Sequence, residues 1–357
     1  MVHLGAGRHS VSNREIFKSL LEKSCNELNE IVESKDNDRC DDVKFKLSSY
    51  DHLLSTLQKS SKIVEDSPLT NTGYGSSLNI EGQVECDSNI LLTVVSDKGD
   101  NKDDDDNEDS DGNYRNIQAS LCSIRNKYPI SRCLESLKHQ YGPESKLGIT
   151  KPVFVIDHNS GDSDLISAKS LKIYNTYKQD LQIDEQQEEE LITDTVGVSI
   201  SDSWGNMVSS SSSGGNFFKP KGRIGCAAIV GSSNYNLIQN GYSISIMCSG
   251  NGEDIISMDL ARFLCYYIVE KIESSTLSVS QLCKEGIIKH SKKTILKANN
   301  LYIGCCGYIK INDRYVIFIV HSTESFIVGY KQLGAGFKAI QTENKNKFSL
   351  KNIEFFV

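Results

Sequence analysis

The sequence lacks any apolar run near the roughly 18 residues that a membrane-spanning helix needs. Its first residues contain neither the basic region nor the apolar stretch of a signal peptide. We therefore expect no membrane span, and a cytoplasmic or nuclear location. The eleven cysteines form no C-x-x-C pair, and their number is odd. Reduced, mostly buried thiols are expected, with no metal and no cofactor.

A basic face is also missing. Lys and Arg number 39 against 47 Asp and Glu, which gives a net charge of -8. Residues 97–111 alone hold nine acids and two lysines, and they offer no apolar side chain to bury. Without an excess of positive charge, no nucleic-acid partner is predicted. The acidic stretch, taken as 97–112, is predicted to be a solvated insert.

The apolar fraction of 38% is low for a globular chain, which indicates that polar inserts interrupt the core. Residues 157–194 form a second polar stretch, predicted to be a mobile linker without core residues. Strand and helix patterns lie on both sides of it. The predicted fold class is therefore α+β, with one domain built from an α segment, 1–194, and a β segment, 195–357.

Apolar spacing predicts the individual elements. Helical intervals predict helices over 13–34, 51–59 and 258–272. Alternating or short buried apolar runs predict strands over 2–7, 152–156, 195–202, 206–211, 225–231, 242–247, 301–309, 314–321 and 326–330.

Thr195 begins the first strong strand after the linker. A threonine hydroxyl is a poor nucleophile unless a base removes its proton, and the residue's own free α-amino group can be that base. The reference pKa of this amine, about 7.7 to 8.0, suits the task at neutral pH. Such a mechanism requires a cut between Asp194 and Thr195. From spacing alone, an ordinary β-branched residue at the start of a strand is the simpler interpretation.

Four motifs follow in order, and with two earlier segments they resemble the type 2 asparaginase family of N-terminal-nucleophile hydrolases. The motifs are Thr195-Val-Gly-Val-Ser-Ile-Ser-Asp-Ser-Trp-Gly-Asn206, Ser211-Ser-Ser-Gly-Gly215, Pro220-Lys-Gly-Arg-Ile-Gly225 and Cys248-Ser-Gly-Asn-Gly-Glu253. The earlier segments are 2–7 and 65–87. Within the family, 65–87 and 321–330 look like the threonine aspartases (taspases), endoproteases that cut after aspartate. The resemblance implies a four-layer αββα sandwich.

The resemblance also implies catalytic roles. Thr195 would be the nucleophile, exposed when the precursor cuts itself after Asp194. Ser213 would hydrogen-bond this nucleophile, although a flexible serine tract is the plainer interpretation. Ser249 and Gly250 would supply the oxyanion hole, in which fixed donors stabilise developing negative charge.

Two further residues are implied to bind substrate. Arg223 would bind a substrate carboxylate, because its planar fork matches that group, whereas an ordinary surface arginine is the alternative. Asn71 would hold the scissile region before cleavage and the new amine afterwards, and Gly250 would also contact substrate.

Cys226 departs from the pattern of small-substrate asparaginases. Those enzymes have an aspartate at this position, which pairs with the α-ammonium of a free amino acid. A neutral thiol offers no such charge, and this favours an aspartate inside a protein chain. The expected function is therefore a self-processing threonine endopeptidase acting on proteins with internal aspartates, with α and β segments that stay associated as an (αβ)2 heterotetramer. The alternatives are an asparaginase or isoaspartyl peptidase, and a catalytically silent binding protein.

Overall fold

The computed structural model describes residues 1–27, 46–95, 114–141, 152–157, 164–180, 195–292, 301–344 and 347–356. The helices in these residues are α1 (Arg14–Asn26), α2 (Asp51–Glu65), α3 (Pro129–Gln140), α4 (Ala168–Asp180), α5 (Gly252–Ser257), α6 (Leu260–Lys271) and α7 (Val279–Ser291). The strands are β1 (Val2–Gly7), β2 (Cys86–Val95), β3 (Tyr114–Ile124), β4 (Phe154–Ile156), β5 (Val196–Ser201), β6 (Met207–Ser213), β7 (Asn234–Gln239), β8 (Tyr242–Gly250), β9 (Ile303–Ile311), β10 (Arg314–His321), β11 (Ser325–Tyr330), β12 (Lys338–Glu343) and β13 (Ser349–Phe356).

The strands form two sheets. The larger sheet has eight strands in the order β12-β11-β1-β5-β6-β2-β3-β4, and only its last pair, β3 and β4, is parallel. The smaller sheet has five antiparallel strands in the order β13-β10-β9-β8-β7. The larger sheet thus interleaves strands from before and after the predicted cleavage point.

Helices pack on both sheets through separate apolar clusters. Helices α1, α2 and α3 bury residues such as Leu21, Leu57 and Leu134 against the larger sheet. Helices α6 and α7 bury residues such as Leu264 and Ile287 against the smaller one. Each fully buried leucine of this kind contributes about 1.5 to 3 kcal/mol through removal of apolar surface from water.

The two sheets also contact each other directly. Met247 of the smaller sheet packs with Ala6 and Phe326 of the larger sheet. The hydroxyl groups of Ser199 and Ser245 lie 2.7 Å apart across the same junction. The mixed α+β class is confirmed, and two sheets with helices are consistent with an N-terminal-nucleophile fold. The exact four-layer order stays a prediction.

Most of the predicted elements are confirmed, including β1, α2, β5, β6, β8, α6, β9, β10 and β11. The predicted strand over 225–231 is wrong. Residues Cys226–Ala228 form a 3-10 turn instead, because these apolar side chains are buried in a connection between the two sheets. The strand at 152–156 exists as β4, yet Phe154 and Ile156 are exposed, since β4 is an edge strand. The helix predicted over 13–34 is described only as α1, because residues 28–45 lie outside the described part of the chain.

The middle of the predicted linker is a packed helix. Leu165 and Tyr174, just before and within α4, are buried in the same cluster as the helices on the larger sheet. The Tyr174 ring stacks on Phe218 at 5.2 Å between centroids, and its hydroxyl donates to the Ile80 carbonyl at 3.2 Å. The polar composition of 157–194 did not predict this packing. The acidic insert 97–112 and the rest of the linker after Asp180 lie outside the described residues.

None of the helices in the described ranges is long and apolar enough to cross a membrane.

Candidate active site

Thr195 is buried immediately before β5, with 2% of its surface exposed. Strands β5 and β6 pair with Val196 opposite Ser212, so the antiparallel register makes Ser213 the next cross-strand neighbour of Thr195. The Ser213 hydroxyl accepts a hydrogen bond from the Gly215 amide at 3.0 Å. The fold therefore brings the predicted nucleophile and the predicted supporting hydroxyl together. Their direct hydrogen bond stays a prediction.

Ser249, near the end of β8, reaches the same point from the smaller sheet. Its Oγ accepts from the Thr195 backbone nitrogen at 3.2 Å and from the Ala6 nitrogen at 2.9 Å. Both bonds use the oxygen as acceptor, so neither consumes the hydroxyl proton of Ser249. That proton can be donated to an atom on which negative charge develops beside Thr195, as an oxyanion hole requires.

Gly250 follows Ser249 in a conformation that only glycine adopts easily. Its φ is +124°, and an added Cβ would lie 2.2 Å from the Tyr302 carbonyl oxygen. A side chain here would have to displace the backbone of the neighbouring segment. The position next to Ser249 is therefore fixed by backbone packing, which suits a donor group that must not move during reaction.

Asn71 holds the turn that follows Ser213. Its Nδ2 donates to the Gly215 carbonyl at 2.9 Å, and its backbone carbonyl accepts from the Gly214 amide at 2.8 Å. Its Oδ1 accepts from the Ser77 amide at 2.8 Å. Asn71 is 1% exposed, so its side chain connects the 65–75 loop to the Gly-Gly turn. Its contact with substrate or with the new amine stays a prediction.

Glu65 lies at the start of the same loop and connects it to α3. It is fully buried, and its Oε1 accepts from the Ile130 amide at the start of α3 at 2.9 Å. Burial raises the pKa of Glu65 to about 8, although hydrogen bonds from Ile130 and Ser212 oppose this rise. The carboxyl group is therefore mostly protonated at neutral pH, because removal from water disfavours its charged form.

Arg223 lies in the connection from β6 to β7, with 14% of its side chain exposed. Its Nε and Nη2 both donate to Oε1 of Glu253, at 3.0 and 2.6 Å. Glu253 in turn is contacted by Asn216, whose Nδ2 lies 3.3 Å from Oε2. The arginine is thus a half-enclosed cation held by a carboxylate of the protein, which the ordinary surface-arginine interpretation does not describe.

Cys226 lies next to Thr195, the predicted nucleophile. It is 4% exposed, and its thiol hydrogen-bonds the side chain of Thr195. Burial raises the pKa of Cys226 to about 11, although the nearby Arg223 charge and the Thr195 bond lower it. The thiol is neutral at physiological pH, so the position carries no negative charge for an ammonium group.

Two residues that the sequence did not single out complete the polar surroundings. Asp87 of β2 pairs with Ser213 in register, and its carboxylate accepts from the amides of Gly225 at 2.7 Å and Ser123 at 3.2 Å. Burial raises the pKa of Asp87, while the charge of nearby Lys219 lowers it. Lys219 is 3% exposed and donates to the Glu85 carbonyl. The only sequence signal for either residue was that Asp87 ends the segment 65–87, which carries part of the family resemblance.

Glu253 is the third functional candidate that sequence reasoning missed, although it ends the fourth motif. Asp194, the predicted cleavage residue, lies outside the described residues. Within the described ranges, no group of three or more His, Cys, Asp or Glu side chains is arranged to hold a metal ion.

Comparison with known proteins agrees with the motif resemblance at the level of the family. A family model described as asparaginase matches residues 155–331, the range that contains Thr195, Ser213, Arg223 and Ser249. Over this range the chain is similar to the asparaginase family. The match supports the hydrolase class in the same way. It does not distinguish the taspases from other members of the family.

Curated relatives are distant. An N(4)-(beta-N-acetylglucosaminyl)-L-asparaginase of Elizabethkingia miricola is 24% identical over 278 residues, which cover 75% of this chain and 70% of the relative. A plant-type L-asparaginase of Pyrococcus abyssi is 25% identical over 293 residues, covering 79% and 84%. An isoaspartyl peptidase/L-asparaginase of Macaca fascicularis is 27% identical over 206 residues, covering 57% and 60%.

Proposed function

We propose that this chain is a self-processing hydrolase of the asparaginase family that cleaves protein substrates after aspartate through Thr195, as a threonine aspartase does. The observation that carries the proposal is the neutral, buried Cys226 thiol beside Thr195. The remaining support comes from the convergence of Thr195, Ser213 and Ser249 at one point between the two sheets.

Self-processing begins at the peptide bond between Asp194 and Thr195. The Thr195 hydroxyl attacks the Asp194 carbonyl carbon, and the bond from that carbon to the Thr195 nitrogen breaks as the nitrogen takes up a proton. The resulting ester between Asp194 and Thr195 is then hydrolysed by water, which leaves a carboxylate on Asp194 and a free amine on Thr195. The contact from the Thr195 nitrogen to Ser249 Oγ keeps that amine in place.

In turnover, the free amine removes the proton from the hydroxyl of its own residue, and the oxygen attacks the carbonyl carbon of a bound substrate aspartate. Ser249 and Gly250 donate to the developing oxyanion, an interaction worth roughly 3 to 4 kcal/mol per donor. The leaving amine takes the proton, and water then hydrolyses the acyl-enzyme. Arg223 binds the side-chain carboxylate of the substrate aspartate.

Selection of an aspartate inside a protein chain follows from the absence of charge at Cys226. A free amino acid or an N-terminal aspartyl group brings an α-ammonium into the pocket, and an ammonium without a nearby negative charge is costly to desolvate. An internal aspartate has a neutral amide there instead. A neutral thiol is compatible with that amide.

The second candidate is an asparaginase or isoaspartyl peptidase acting on small molecules. The observation that favours it is the set of distant relatives, whose names describe L-asparaginases and isoaspartyl peptidases. Their identities of 25 to 27% leave room for a change in substrate.

The deciding experiment compares three substrates. Matured protein is incubated with L-asparagine, with an isoaspartyl dipeptide and with a peptide library that contains internal aspartates. We expect cleavage after aspartate in the library and much slower turnover of the two small substrates. Turnover of only the small substrates would replace the protease with the second candidate, and a chain that neither cuts itself nor turns over any substrate would leave a silent binding protein.

The proposal includes the arrangement of the mature particle. Segments 1–194 and 195–357 stay associated, two such pairs form an (αβ)2 heterotetramer, and the sheets and helices stack as four αββα layers. The interleaving of strands from both segments in the larger sheet supports their association after cleavage.

A further inference from the structure

The predicted carboxylate-binding arginine already has a carboxylate partner in this structure. Oε1 of Glu253 accepts from both Nε and Nη2 of Arg223, which is one full edge of the guanidinium fork. Its other oxygen, Oε2, lies 3.3 Å from Nδ2 of Asn216. A substrate carboxylate must therefore either displace Glu253 or bind a different edge of Arg223.

The backbone packs closely against the two terminal nitrogens of the guanidinium, Nη1 and Nη2. Nη1 would lie 2.7 Å from a Cβ added to Gly215 and 2.8 Å from one added to Gly225, while Nη2 would lie 2.8 Å from one added to Gly252. A side chain at any of these three glycines would therefore take the space that the guanidinium occupies. Nη1 thus lies at the Gly-Gly turn that follows Ser213, and Arg223 is close enough to Cys226 for its charge to lower the pKa of that thiol.

The ion pair does little for stability, since 54% of the Glu253 side chain is exposed and exposed pairs contribute little. Its geometric effect is larger. A guanidinium has a fixed planar set of donors, so occupying one edge fixes the direction of the others.

We propose that Glu253 is a positioning residue that occupies the Nε and Nη2 edge of Arg223 and thereby presents its Nη1 and Nη2 edge to a substrate carboxylate. This inference rests on the proposed function for its reaction, and it applies to every candidate substrate, because each one carries a carboxylate. Glu253 acts through Arg223 and does not touch the reacting atoms. Asn216 restrains the Glu253 carboxylate from the opposite side.

The test compares wild type with Glu253→Ala and Glu253→Gln. Wild type is first assayed with the internal-aspartate peptide, L-asparagine and the isoaspartyl dipeptide, and each substrate that is turned over is used with the variants. We expect Glu253→Ala to raise KM about fivefold to tenfold, the size of a charge-assisted hydrogen bond reduced for exposure, with little change in kcat. Glu253→Gln keeps an acceptor oxygen for Nε and Nη2, so it should recover part of the loss.

A binding measurement makes the test independent of turnover. Calorimetry gives the dissociation constant of L-aspartate, which cannot be cleaved, for matured wild type and matured Glu253→Ala, and the same weakening is expected. Glu81→Ala is the matched control, because Glu81 is an exposed acid that pairs with Lys221 of the same connection. It should bind and turn over like wild type.

Unchanged or tighter binding in Glu253→Ala would overturn the inference, since tighter binding means that Glu253 competes with substrate. Loss of kcat at constant KM, or no binding of any carboxylate ligand, would overturn it as well. Failure of the proposed function is a separate result, because it is seen in wild type as turnover of the small substrates alone.

Discussion

The larger sheet takes strands from both sides of the predicted cleavage point, whereas all five strands of the smaller sheet follow Thr195. Strands β5 and β6 lie between β1 and β2 in the larger sheet. A cut before Thr195 therefore leaves β5 hydrogen-bonded to β1 and β6 hydrogen-bonded to β2, so the two segments remain joined at two strand pairs. The smaller sheet contributes Ser249 and Gly250 but does not join the segments through its own ladder. The larger sheet thus joins the two segments, and the smaller sheet carries the two proposed oxyanion donors.

In the proposed function, the connection between the two sheets determines substrate specificity. Residues 214–233 leave β6 in the larger sheet and enter β7 in the smaller one. They carry Lys219, Arg223 and Cys226, so a change in this crossing alters the charge around Thr195 without altering either sheet.

The largest expected effect tests whether the two sheets differ in how they hold the two segments together. Leu57 of α2 and Leu264 of α6 are both fully buried, and truncation of either to alanine should cost about 2 to 5 kcal/mol of unfolding free energy. Helix α2 belongs to the first segment but packs on β5 and β6 of the second. We therefore expect Leu57→Ala to lower the urea concentration at which the cleaved segments separate.

Leu264→Ala is the matched comparison, because α6 packs on β7 and β8 of its own segment. It should lower the unfolding midpoint while the segments remain bound up to that midpoint. Size-exclusion chromatography of processed protein in increasing urea measures both. Equal effects of the two variants on segment association would contradict the division between the sheets.

The second prediction concerns a polar anchor found beside the larger sheet. Glu65 has a pKa raised by burial to about 8, compared with an ordinary value of 4.5. The unfolded chain releases this proton at lower pH than the folded protein, so the contribution of Glu65 to stability is present below about pH 4.5 and is lost as pH rises through 8. The loss is on the order of 5 kcal/mol, since the pKa rises by about 3.5 and one pKa unit corresponds to about 1.4 kcal/mol.

Glu65→Gln should remove this dependence. Urea unfolding at pH 5 and pH 8.5 should show the variant close to wild type at the lower pH and more stable at the higher one. Glu81→Gln, at an exposed acid, is the control and should follow wild type at both values. A wild-type protein whose difference from Glu65→Gln stays constant between the two pH values would show that Glu65 does not hold its proton.

The third prediction tests the role of Cys226 in the connection between the two sheets. Cys226→Asp places a carboxylate beside Thr195, so kcat/KM for L-asparagine and the isoaspartyl dipeptide should rise relative to the internal-aspartate peptide by roughly tenfold or more, the value of about 1.4 kcal/mol of charge pairing. Cys226→Ser keeps a neutral group of similar shape and should leave the ratio near that of wild type. An unchanged ratio in Cys226→Asp, in protein with a normal melting temperature, would remove the argument for internal aspartates.

The sequence predicted elements with strong periodicity, and it failed where tertiary contacts decide. Alternation placed β5, an apolar run placed β10, and helical spacing placed α2 and α6. The apolar run at 225–231 was misinterpreted as a strand, because burial in a sheet and burial in a crossing look alike in one dimension. Helix α4 was missed since its two buried contacts, Leu165 and Tyr174, stand among polar residues.

The residues of the candidate site were likewise predicted where a local motif carries them and missed where tertiary contacts decide. The motifs identified Thr195, Ser213 and Ser249, and the fold brings them together. The partners Glu253 and Asp87 could not be assigned roles from the sequence, because Arg223 and Glu253 are 30 positions apart and meet only through the packing of α5 against the crossing. The pairing of Asp87 with Ser213 likewise depends on the register of β2 against β6.

The most direct test of the account is the intact mass of purified protein under denaturing conditions. Wild type should give two species, 1–194 and 195–357, and the second should begin Thr-Val-Gly-Val, whereas Thr195→Ala should remain one chain. Thr176→Ala, at a half-buried threonine of α4, should be processed like wild type. A wild-type protein that is active yet uncut before Thr195 would contradict the mechanism.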